Sequence, residues 1–178
     1  MNVIDTKIKD VKIIEPNVFG DRRGFFLETF EKKRYQEMLE IDFDFVQDNH
    51  SRSVKGVLRG LHFQKNNPQG KLVRVVRGEV YDVAVDIRKN SPTYGKWEAV
   101  ILNEDNKRQF WIPPGLAHGF LVLSDVVDLE YKCTSYYDPE SEDCVIWNDK
   151  DIAVKWPELD VNLILSEKDM IGKKFREL

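Results

Sequence analysis

Between residues 11 and 147 the chain is a succession of short apolar or alternating runs, each closed by turn-forming residues. The run 11–14 comes first, and 25–30 follows the turn Gly20-Asp21-Arg22-Arg23-Gly24. Then come 43–49, 57–64, 72–76, 80–87, 97–102, 108–112, 119–123, 126–133 and 144–147. Runs of this length, rich in Val, Ile, Tyr, Phe and Trp and so closely punctuated, are strands. Only 32–40 has helical spacing, with Tyr35, Met38 and Leu39 on one stripe. Arg77-Gly78-Glu79 predicts a tight turn, and Asn103-Glu104-Asp105-Asn106 a polar hairpin connection. Ser166-Glu167-Lys168-Asp169 has the S-x-x-D form that opens a helix. So many strands with so little helix predict an all-β fold, a jelly-roll sandwich or barrel with a few short helices. No repeat, linker or low-complexity stretch divides the 178 residues, so one domain over 1–178 is expected.

Composition excludes several function classes. Lys plus Arg is 27 and Asp plus Glu is 31, a formal charge of 27 − 31 = −4. Sequence-independent nucleic-acid binding needs the opposite sign. No apolar run approaches the ~18 residues that span a bilayer. Residues 1–10 are too polar for a signal peptide, so no membrane association and a cytoplasmic location are expected. The two cysteines, Cys133 and Cys144, lack zinc-type spacing and read as reduced, buried thiols.

Chemistry has few carriers. The histidines are His50, His62 and His118. His62 lies in Arg59-Gly60-Leu61-His62-Phe63-Gln64, and His118 in Pro113-Pro114-Gly115-Leu116-Ala117-His118-Gly119-Phe120. The second string has the P-x-G-x-x-H form of one half of the cupin signature. The first departs from the metal-binding half, with Gln64 where a second histidine would stand and no Glu before Lys71. A transition metal wants three or four ligands from His, Cys, Asp or Glu, so no metal is expected. Period-two geometry puts His62 with Gln64, Gln47 with Asn49, and Leu129 with Tyr131 and Cys133 on shared faces. Regular alternation turns Arg59 away from His62, and a bulge at Gly60 would bring both inward. A histidine base, a tyrosine acid and a lysine in one cavity suit proton abstraction next to a carbonyl. The imidazole takes the carbon-bound proton, Lys71 stabilises the enolate, and the phenol returns a proton from the opposite face.

Taken together, several strings resemble one family. They are Val18-Phe19-Gly20-Asp21-Arg22-Arg23-Gly24-Phe25-Phe26, Phe45-Val46-Gln47-Asp48-Asn49-His50-Ser51 and Val57-Leu58-Arg59-Gly60-Leu61-His62-Phe63-Gln64. Gly70-Lys71-Leu72-Val73-Arg74, Asp82-Val83-Ala84-Val85-Asp86-Ile87-Arg88 and the proline-rich string before His118 continue the series. Tyr131-Lys132, Tyr136-Tyr137 and Leu165-Ser166-Glu167-Lys168-Asp169 complete it. In this order, over nearly the whole chain, they resemble the dTDP-4-dehydrorhamnose 3,5-epimerases.

The resemblance implies a cofactor-independent epimerase that inverts C3 and C5 of a dTDP-4-keto-6-deoxy sugar. It makes His62 the base, Asp169 its orienting carboxylate, Tyr131 the acid and Lys71 the enolate-stabilising cation. His118, Glu142 and Lys168 become substrate contacts, and Arg59 and Arg23 pyrophosphate partners. Gln47 and Asn49 become polar contacts at the same end, Glu28 the reader of the thymine, and Phe26 and Tyr137 its aromatic faces. It also implies a homodimer in which an exchanged N-terminal strand carries Arg23, Phe26 and Glu28 into the neighbouring site. The rivals are an epimerase of one centre only, a non-catalytic nucleotide-sugar sensor and a metal-dependent cupin.

Overall fold

The computed structural model describes residues 1–178. Its strands are β1 (Asn2–Asp5), β2 (Lys12–Glu15), β3 (Val18–Asp21), β4 (Gly24–Leu27), β5 (Gln47–Val54), β6 (Leu58–Gln64) and β7 (Lys71–Arg77). They continue with β8 (Glu79–Asp86), β9 (Trp97–Asn103), β10 (Gln109–Ile112), β11 (Leu116–Val122), β12 (Val126–Cys133) and β13 (Glu142–Cys144). Two short helices, α1 (Lys32–Leu39) and α2 (Glu167–Met170), and a 3-10 turn at Phe175–Glu177 complete the elements.

Two antiparallel sheets make the sandwich. One runs β1-β2-β10-β7-β12-β5 and the other β13-β6-β11-β8-β9. Their inner faces share a core of fifteen buried residues, including Val73, Val75, Ala84, Phe110, Phe120 and Leu129. Each outer face is partly covered. The α1 residues Tyr35 and Leu39 pack on Ile14, Leu72 and Trp111 of the six-stranded sheet. The C-terminal residues Ile152, Val154, Trp156, Phe175 and Leu178 cover Leu61, Val83, Val85 and Ala117 of the five-stranded sheet. Burial on both faces explains why β11 is buried at every position and reads as one apolar run.

The structure shifts several sequence-predicted elements. The strand expected at 43–49 is β5, Gln47–Val54, and the one expected at 144–147 is β13, Glu142–Cys144. The strand expected at 25–30 ends at Leu27. The connection at 103–106 is not a hairpin, because β9 and β10 belong to different sheets. Asn106 instead braces that corner, accepting from the Asn103 and Arg108 N–H groups at 3.3 and 2.9 Å. The predicted helix 32–40 forms at Lys32–Leu39, capped by Glu31, whose carboxylate accepts from the N–H groups of Lys33 and Arg34. Ser166 caps α2 through the Asp169 N–H, as its sequence form implies.

The hairpin β3–β4 forms a two-stranded sheet of its own. Phe19, Phe25 and Phe26 on it are 64%, 61% and 70% exposed. Large aromatics so uncovered are abnormal for a closed surface.

Candidate active site

His62 on β6 pairs in register with His118 on β11, and Arg59 pairs with Phe120. Residues directly opposite in an antiparallel pair face the same side. Three steps along β6 therefore match two along β11, so β6 carries one extra residue at Gly60–Leu61. This is the bulge the sequence offered as a way to turn Arg59 and His62 inward together. Space enforces it. A Cβ on Gly60 would lie 2.5 Å from the Gly119 Cα, at a backbone φ of 130°. Arg59 Nη2 then donates to Ser53 Oγ at 3.0 Å.

His62 Nε2 lies 2.7 Å from Asp169 Oδ1. The same carboxylate accepts from the Gly60 N–H at 3.1 Å and from Ser166 Oγ at 2.6 Å. Burial works against its charge, but these three hydrogen bonds outweigh it and hold the pKa at about 2. An ionised Asp169 accepts from Nε2–H and leaves Nδ1 as the basic nitrogen of the neutral ring. Asp169 thus both orders the start of α2 and binds His62, across 107 positions of sequence.

His118 is buried, with Nε2 at 2.9 Å and 3.1 Å from the two carboxylate oxygens of Asp82 on β8. Burial pushes the His118 pKa down and the Asp82 pKa up, and the attraction between them opposes both only in part. Sequence reading missed Asp82. Its signal was a carboxylate inside the apolar run Val80–Ile87, which folding tolerates only with a partner.

The six-stranded sheet supplies the facing wall. Tyr131 pairs with Asn49 and Val73, and Cys133 pairs with Gln47 and Lys71. These residues share the inner face with the core residue Leu129, as the alternation predicted. The Lys71 ammonium is 6.0 Å from the Tyr131 ring centroid. Burial pushes the Lys71 pKa down, while Cys133, Asp82 and Glu142 pull it back. Burial raises the Tyr131 phenol, with Arg59 opposing. Cys133 and Cys144 are both buried and unpaired, as expected.

Polar residues close the mouth. Gln47 donates to Asn49 Oδ1 at 3.0 Å and accepts from the Tyr137 N–H at 2.8 Å. The Tyr137 hydroxyl donates to Glu142 at 2.7 Å, and Lys168 forms an ion pair with the same carboxylate. Gln64 is buried and committed to the loops, donating to the carbonyls of Asn67 and Tyr136 and accepting from the Asp138 N–H. It braces the mouth and has no free group to offer inward.

Three implied site residues are not brought to this cavity by their own chain. Arg23 pairs with Asp21 within the β3–β4 hairpin, and Phe26 stands exposed on it. Glu28 forms an ion pair with Arg34 on α1, on the outer side of the six-stranded sheet.

The family model described as dTDP-4-dehydrorhamnose 3,5-epimerase matches residues 5–177. The chain belongs to that family. A dTDP-4-dehydrorhamnose 3,5-epimerase of Shigella flexneri is 57% identical, over 98% of this chain and 96% of its own length. One of Neisseria gonorrhoeae is 55% identical over 99% of this chain, which spans only 53% of that relative. Among solved structures, the fold is similar to a Legionella pneumophila dTDP-6-deoxy-D-glucose-3,5-epimerase in complex with dTDP-4-keto-L-rhamnose. The TM-score is 0.96 at 57% identity, covering 98% of this chain and 93% of that one. No helix is long and apolar enough to cross a membrane.

Proposed function

We propose that this protein is an isomerase that inverts C3 and C5 of dTDP-4-dehydro-6-deoxy-D-glucose. The product is dTDP-4-dehydro-L-rhamnose. The observation that carries the reading is His62 on the inner face of one sheet, bonded to Asp169 of α2, with Tyr131 and Lys71 on the inner face of the other sheet.

The C4 ketone acidifies the protons on C3 and C5. His62 removes each in turn through Nδ1, and the ionised Asp169 stabilises the imidazolium that forms. Negative charge moves onto the C4 oxygen, where Lys71 meets it in a site partly withdrawn from water. Tyr131 protonates the carbon from the other side, which inverts it. His118, fixed by Asp82, contacts the sugar. Glu142 and Lys168 form its rim. No resident cofactor has a part in this sequence.

The nucleotide extends outward from the mouth. Arg59 offers a guanidinium suited to the pyrophosphate, and Gln47, Asn49 and Tyr137 offer further contacts to the nucleotide. Arg23, Phe26 and Glu28 serve this end of the ligand from a second copy of the chain. The exposed aromatics of the β3–β4 hairpin support such an exchange, because a partner would bury them.

Incubation with the keto sugar in D₂O tests the reaction. Deuterium at both C3 and C5 is expected. Label at one carbon reduces the activity to single-centre epimerisation, and no label refutes the enzyme reading.

A further inference from the structure

Cys144 takes no part in the chemistry above, yet it sits against its base. It pairs in register with His62 across β13 and β6, so both side chains share one face. A ring nitrogen of His62, a carboxylate oxygen of Asp169 and Cys144 Sγ lie within 4.8 Å of one another. Tetrahedral zinc, with Zn–S near 2.3 Å and Zn–N or Zn–O near 2.0 Å, sets its ligand atoms roughly 3.3–3.6 Å apart. A metal must open the 2.7 Å Nε2–Oδ1 contact and draw Sγ in by about 1 Å, and the thiol is the ligand free to move. The Cys144 thiol has one weak bond, to the Val145 carbonyl at 3.3 Å. Asp169 is braced behind by Ser166 and Gly60, the kind of outer support that orients a metal ligand. Cys144 and Asp169 are buried, whereas the His62 side chain is 28% exposed. A metal there would keep a fourth position open to the mouth.

We propose that His62, Asp169 and Cys144 form an inhibitory binding site for Zn²⁺. The inhibition, though not the site, rests on His62 being the base. The metal takes Nε2, so the proton of that nitrogen moves to Nδ1 and the basic lone pair disappears. Cys144 releases its thiol proton to solvent and binds as thiolate. One thiolate and one carboxylate balance the charge of the ion. With a thiolate and an imidazole among its ligands, the site favours a cation that binds sulfur and nitrogen strongly over Mg²⁺ or Ca²⁺.

Co²⁺ is the probe, because a thiolate ligand gives it a charge-transfer band in the near ultraviolet. One equivalent should produce the band in the wild-type protein and in Cys133→Ala, and Zn²⁺ should abolish it. Cys144→Ala and the more conservative Cys144→Ser should lack the band while folding and epimerising normally. Zn²⁺ should inhibit the wild type, EDTA should reverse the inhibition, and the Cys144 variants, lacking a direct ligand, should need at least roughly 10-fold more. A folded wild type without the band, a band that survives in either Cys144 variant, or equal Zn²⁺ sensitivity overturns the site. The band requires no turnover. A protein that binds Co²⁺ through Cys144 but never exchanges protons would retain the metal site and refute the catalytic reading instead.

Discussion

Replacing Asp169 by asparagine removes one charge from the dyad and almost none of its shape. The amide oxygen can still accept from His62 Nε2–H and the Gly60 N–H, now 2.7 and 3.1 Å away. The amide nitrogen then faces Ser166 Oγ, which can accept as readily as it now donates. What is lost is stabilisation of the imidazolium. Two unit charges about 4 Å apart interact by about 4 kcal/mol at an effective dielectric near 20. Each ~1.4 kcal/mol is tenfold in rate, so a fully formed imidazolium costs about 1,000-fold and a half-formed one about 30-fold.

Deuterium wash-in at C3 and C5 of the keto sugar, followed by NMR, should therefore slow by roughly 30- to 1,000-fold at both carbons. Stability provides an independent signature. The carboxylate of Asp169 lies at about 2 in the fold against an ordinary 3.8. A depressed carboxylate stabilises the protein above its unfolded pKa, and that contribution fades as pH falls through the folded value. The wild type should lose about 2 kcal/mol between pH 4 and 2 from this group. Asp169→Asn should lack that component of the acid transition. Exchange within threefold of wild type in a folded variant would refute the dyad, as would slowing at one carbon alone.

Tyr131→Phe keeps the ring beside Lys71 and removes the returning proton. Deuterium should still enter, while net inversion falls roughly 100-fold, and an unchanged product rate would dismiss the phenol as acid. Gly119→Ala places a Cβ 2.6 Å from the Arg59 carbonyl oxygen and 3.1 Å from the Gly60 Cα. Crowding at the bulge should cost about 1–3 kcal/mol in chemical denaturation and raise KM through Arg59; wild-type stability would mean that the bulge is not tightly packed. Mixing subunits tests strand exchange. Arg23→Ala and His62→Ala should each be nearly inactive alone, and co-refolded in equal amounts they should recover about a quarter of wild-type activity, through hybrids with one intact site. No recovery in confirmed hybrids would place Arg23 in its own subunit's site.

How much of this was readable from the residues depends on whether alternation alone sets the outcome. Strand β12 presents Leu129, Tyr131 and Cys133 inward because one residue in two must face the core, and that needs only counting. Strand β5 was displaced because its inner face is occupied by Gln47, Asn49 and Ser53 rather than apolar residues, so the polar string Gln47–Val54 lacks the usual signature. Here the cavity itself disguised the strand: a polar inner wall is the part of a sandwich whose hydrophobic period fails. The same logic covers Asp82, whose burial is tolerable only because His118 faces it from the next strand. Contacts formed across long stretches of chain, such as Asp169 and Cys144 reaching His62, leave no trace in local spacing. The bulge at Gly60 was legible only as an alternative, because one glycine permits an extra residue without requiring it. The opposing strand makes room for it, because a Cβ on Gly119 would lie 2.6 Å from the Arg59 carbonyl oxygen of the bulged strand. Arg59 and His62 therefore face the same cavity through two glycines on different strands.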